Sequence, residues 1–103
     1  MTRDKRRNQM KPERAIERYL NEREAEWADS SYYNNSCALN RFLEFCEDDN
    51  LDNIAEIDGF HISDFKQYRR EQGINEVTLY NNLSALRAFL NWCSSMGLIE
   101  SWV

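Results

Sequence analysis

One histidine, three cysteines, five tyrosines and a short run of alternating acids are the residues whose types suit catalysis or metal binding. His61 is the sole histidine and stands beside Phe60 and Ile62 at the start of a predicted helix, where a capping or surface role is the plain reading. A single histidine builds neither a pair of His ligands nor a His-based proton relay. Cys37, Cys46 and Cys93 lie far apart, and no CxxC or HxxxH spacing supports zinc. An odd, unpaired cysteine set suits reduced thiols in the cytoplasm. Asp48, Asn50 and Asp52 resemble the first, third and fifth positions of a calcium loop. That loop needs Gly at its sixth position and Glu at its twelfth, and Asn53 and Gly59 stand there instead. A solvated acidic loop is expected. No GxxxxGK[ST] or GxGxxG cradle is present, and Tyr19, Tyr32 and Tyr68 fall near predicted inner stripes, where packing explains them. The residues therefore predict no catalytic centre, no metal, no cofactor and no small-molecule substrate.

The elements that carry these residues read as helical. A chain of 103 residues makes one domain, and 42% hydrophobic content with 13% aromatic residues is enough for a modest core. Three Gly, one Pro and 30% charged residues favour long helices with short connections. The apolar runs are only a few residues long, and no h-region follows the basic start, so neither a membrane span nor a secretory signal is expected. Charge is unevenly placed. Residues 1–23 carry a balance of +4 and residues 24–103 a balance of −9, which together make the net −5. An acidic body argues against nucleic-acid binding unless the acids cluster away from the interface. A salt-adapted source is one way to reconcile the two.

Along the chain, residues 1–11 lack periodicity and predict a flexible basic arm, and residues 12–103 predict a four-helix domain. Pro12 suits the first turn of a helix over about 12–25, with Ile16, Tyr19 and Leu20 on one face and Trp27 anchoring the connection. Asp29, Ser30 and Ser31 offer cap oxygens to a second helix that runs to about Asp48, with Leu39, Phe42, Leu43 and Cys46 inward and Tyr32 and Ser36 extending the stripe. Leu51, Ile54 and Ile57 should pin a polar connector to the core. A third helix over about 60–72 turns Ile62, Phe65 and Tyr68 inward and stops at Gly73, while Lys66, Arg69 and Arg70 are expected to face solvent in local ion pairs. Asn75 caps a fourth helix over about 76–96 with the stripe Leu79, Leu83, Leu86, Leu90 and Cys93, and Gly97 ends it. Stripes at this spacing predict an all-α fold, a compact four-helix bundle.

Two segments then carry a resemblance. The second helix reads S-x3-N-x3-L-x2-F through Ser31, Asn35, Leu39 and Phe42, and the fourth reads TLYNNLSALRAFLNW from Thr78 to Trp92. With the Tyr19-Leu20 pair and the run Ile57, Ile62, Phe65 and Gly73, this pattern resembles the SAM-like core-binding domain of the tyrosine recombinase (phage integrase) family, and looks closest to its archaeal branch. It covers about residues 12–100. Ser31 and Asn35 stand where the family often has Thr and Tyr, and the catalytic Arg, HxxR and Tyr set is absent, since the tetrapeptide at His61 is HISD. The resemblance implies a DNA-binding, non-catalytic half of a clamp on double-stranded DNA, serving site-specific recombination or integration. Its other half would be the catalytic domain of the same recombinase, if the chain is an excised domain. It also implies that the second and fourth helices face the groove.

On that reading the outer face of the fourth helix presents Thr78, Asn81, Asn82 and Ala85, with Arg87 beside them. The second helix presents Asn34, Asn35 and Arg41. Lys5, Arg6 and Arg7 of the arm would track the phosphate backbone or a minor groove. Short amides and hydroxyls permit close approach to phosphates and base edges. Two other readings compete: a protein–protein interaction module docking through exposed Trp92, Ile99 and Trp102, and a stand-alone regulator that occupies a recombination site without cutting.

Overall fold

A computed structural model describes residues 10–100 as four α-helices and one 3-10 turn. They are α1 (Pro12–Arg23), α2 (Asp29–Asp48), the turn Ile54–Glu56, α3 (Gly59–Glu71) and α4 (Glu76–Ser95). The long helices α2 and α4 pack against each other, and α1 and α3 each touch both of them.

Local chemistry explains where each helix begins and ends. Pro12 opens α1, where a missing N–H leaves nothing unsatisfied. The N-cap of α2 is Ala28, with no side-chain bond. Asp29, Ser30 and Ser31, expected as cap oxygens, lie instead in its first turn, where the Asp29 carboxylate meets the positive end of the helix. Asn50 ends α2 in the left-handed region (φ 55°). Its N–H donates to the Glu47 carbonyl at 3.2 Å, and that of Leu51 donates to Cys46 at 2.8 Å. This paired closure turns the chain sharply and drops Leu51 into the core. Asp58 caps α3 by accepting from the Phe60 and His61 N–H groups, while its own N–H donates to His61 Nδ1 at 3.1 Å. The lone histidine is therefore half of a capping box. Asn75 caps α4 through the Thr78 N–H at 2.8 Å, as its position predicts. Gly97 (φ 76°) closes α4 with the same paired bonds that Asn50 uses on α2.

The core is aromatic and shared by all four helices. Tyr19 meets Phe89 and Trp92 edge-on or tilted at 5.3 and 5.4 Å, and Trp27 at 5.8 Å. Phe42 meets Phe65 at 5.3 Å, and Phe45 meets Phe65 and Tyr68 at 5.6 and 5.5 Å. Leu51, Ile54 and Ile57 are buried and hold the connector down, as expected. Met10, within the expected arm, packs on the core and accepts from the Ile54 N–H at 2.8 Å. The buried surface of α4 is wider than one stripe and includes Phe89, Trp92, Ala85 and Asn82, because three other helices surround it.

Burial separates the three thiols. Cys46 and Cys93 are fully buried, and desolvation pushes each thiol up to about 12, whereas Cys37 is exposed. A thiol–disulfide exchange reagent near pH 8, about the ordinary thiol range, should titrate Cys37 alone in the folded protein and all three cysteines after denaturation. Rapid labelling of Cys46 or Cys93 without denaturant would contradict this packing.

Candidate nucleic-acid interface

The buried residues of α2 begin only at Ala38, and the turns before it carry short polar side chains. Opposite them, the first half of α4 is similarly polar. Between these two half-helices lies an open hollow of about 640 Å3. From α2 it is lined by Ser31, Tyr33, Asn34, Asn35, Cys37, Ala38 and Arg41, and from α4 by Thr78, Asn81, Asn82, Ser84 and Ala85. One residue of α3, Arg69, completes it. Six candidates from the sequence, Asn34, Asn35, Arg41, Thr78, Asn81 and Asn82, thus share one concave surface. Arg87 is exposed on α4 and does not line it. Lys5, Arg6 and Arg7 lie outside the described residues.

None of the described acidic residues lines the hollow, although the chain carries 18 Asp and Glu and a net charge of −5. Its two formal charges are Arg41 and Arg69, both positive. Arg41 sits half-exposed and donates to Glu44 Oε2 at 3.1 Å. An exposed pair of this kind contributes little and re-forms readily with another anion. Asn35 Nδ2 donates back to the Ser31 carbonyl at 2.8 Å, which fixes its amide and leaves its oxygen as an acceptor.

Arg69 departs from the expectation that it would face solvent. It is 7% exposed, its Nε donates to Asn82 Oδ1 at 2.9 Å, and its Nη1 donates to Gln72 Oε1. Burial first, and the neighbouring Arg41 charge second, hold its guanidinium below the ordinary arginine pKa. Asn82 and Ala85 are also corrected. Both were expected on an outer face, but each is only 8% exposed, because α3 and α2 pack over that side of α4. Arg70 does make the local pair expected of it, with Glu76 at 3.3 Å. Sequence spacing held a signal for Arg69 and Asn82: Arg69 follows buried Phe65 by four residues, and Asn82 follows buried Leu79 by three. Their polar types masked that signal.

The anchors of the interaction-module reading are placed differently from expectation. Trp92 is 6% exposed, and its Nε1 donates to Glu22 Oε2 at 3.3 Å. Ile99 is 8% exposed, and Trp102 lies outside the described residues. The Asp48–Asp52 stretch forms the helix-closing turn at Asn50, and among the described residues no group of three or more His, Cys, Asp or Glu could hold a metal. No helix among the described residues is long and apolar enough to cross a membrane.

With the geometry in place, comparison with known proteins gives two matches. The profile of the phage integrase SAM-like domain matches residues 14–102. The fold is similar to the solved N-terminal domain of a phage integrase/site-specific recombinase from Haloarcula marismortui, with a TM-score of 0.85, 23% identity and 88% of each chain covered. Among curated proteins, none matches the chain significantly.

Proposed function

The chain belongs to the phage integrase SAM-like domain family, and from that premise we propose that it binds duplex DNA through the hollow between α2 and α4. This domain of an integrase is not its catalytic domain, and no catalytic chemistry is assigned to the chain. The single observation that carries the reading is that no acid among the described residues lines the hollow of an otherwise acidic protein. A polyanion is disfavoured by the net negative charge of the chain, and in the hollow it would meet cations, amides and hydroxyls without a described carboxylate among them. The candidates there have sizes suited to close approach. Thr78 and Ser31 bring hydroxyls for phosphate oxygens, while Asn34 and Asn81, both exposed, bring amides that can pair with base edges.

The net negative charge sets the expected strength. Few phosphates are neutralised, so the isolated domain binds weakly, and affinity falls with added salt. A catalytic domain of the same recombinase would close the opposite side of the duplex and supply the remaining contacts. Lys5, Arg6 and Arg7 would add backbone contacts from the arm.

Titrating a short duplex into 15N-labelled protein at low salt tests the reading. Amide shifts should concentrate in residues 31–41 and 78–85 and vanish as salt is raised. Shifts scattered over α1 and the far end of α4, or none at all, would sink it. A concentration-dependent sedimentation coefficient without any DNA response would instead favour the interaction-module reading.

A further inference from the structure

We infer that Arg69 is the receptor of a phosphate oxyanion in the hollow, with Asn82 and Gln72 holding its guanidinium in place. Its identification with a backbone phosphodiester rests on the DNA reading above.

Arginine is rarely buried without an anionic partner. Arg69 is 7% exposed, yet among the described residues no carboxylate lies within ion-pair distance of it. Two neutral amide oxygens take two of its five donors: Asn82 Oδ1 at Nε and Gln72 Oε1 at Nη1. The remaining donors belong to a side chain that lines the hollow, and none of its nitrogens is both sealed from solvent and unpaired. Neutral acceptors thus hold Nε and Nη1, while Nη2 makes no hydrogen bond among the described residues and is not sealed from solvent. Arg41 also lines the hollow and lies close enough to disfavour the Arg69 charge, an effect that Glu44, paired with Arg41 at 3.1 Å, offsets in part. An oxyanion in the hollow would meet both guanidinium groups.

The same geometry reassigns Asn82. With Oδ1 engaged by Arg69 and the residue only 8% exposed, its amide is not presented to a base edge as the donor–acceptor pair that reads adenine. Asn82 is a positioning residue, and the Arg69 contact is blind to base sequence.

The Arg69 Nε–Hε cross-peak, protected by its bond to Asn82, is the direct probe. In the wild-type chain it should shift on adding inorganic phosphate at constant ionic strength, and on adding duplex. Arg69→Gln should weaken duplex binding about 10-fold or more, equally for unrelated sequences. It should also lower the slope of log affinity against log salt by about 1. Arg69→Lys keeps the charge but loses the fork, and should fall between the two.

If the duplex binds while the cross-peak stays fixed and Arg69→Gln keeps the wild-type slope, the inference is overturned and the DNA reading stands. If phosphate moves the cross-peak but no duplex binds, the oxyanion site stands and the DNA reading falls. No response to either ligand removes both. Should Arg69→Gln fail to fold, the wild-type cross-peak still decides.

Discussion

Phe42→Ala is expected to lower the unfolding free energy by about 3–5 kcal/mol. Phe42 is fully buried, stacks near Phe45 at 6.2 Å and meets Phe65 edge-on at 5.3 Å. It therefore joins α2 to α3 through ring contacts. Truncation loses the transfer free energy of the ring and leaves a cavity between two helices. Against a total stability of about 5–15 kcal/mol for a domain of this size, that loss removes about a fifth of the margin or more. Phe60 supplies the control. It is 80% exposed at the first turn of α3, and Phe60→Ala should stay within about 0.5 kcal/mol of wild type. Urea denaturation of the three proteins checks the contrast. Equal midpoints for Phe42→Ala and wild type would mean that the α2–α3 packing is not as described.

The largest effect on function is expected from a single carboxylate placed in the hollow. Asn81 is exposed and lines the concavity, so Asn81→Glu changes charge with little cost in folding. It turns the acid-free surface into one that repels phosphate. Duplex affinity at low salt should fall about 10- to 100-fold, or about 1.4–2.8 kcal/mol, and the difference from wild type should shrink as salt screens it. Asn91 is exposed on the same helix but outside the hollow, and Asn91→Glu adds the same charge at a different place. Fluorescence anisotropy on both variants separates local repulsion from net charge. Equal losses would show that the hollow has no special role.

The sequence determined the number and order of the helices and most of their ends, the cap of α2 being the exception. Apolar side chains at helical spacing have one stable arrangement, with the stripes turned together, and Pro12, Asn75, Gly73 and Gly97 act locally on the backbone whatever surrounds them. The Asn- and Thr-bearing segments of α2 and α4 were legible too, because Ser31, Asn34, Asn35, Thr78 and Asn81 stand off the apolar stripes. Spacing hinted at Arg69 and Asn82, but tertiary structure decided that these polar residues lie inside. Arg69 and Asn82 occupy stripe positions of two different helices. A polar side chain at such a position is excluded from a core unless a partner satisfies it. That partner lies 13 residues away, on a helix whose rotation about its axis is set by Leu79, Leu86 and Phe89 rather than by Asn82 itself. Periodicity within one helix carries no information about the register of the next. The hollow, its lack of acid and the buried arginine at its floor therefore appear only when α2, α3 and α4 meet.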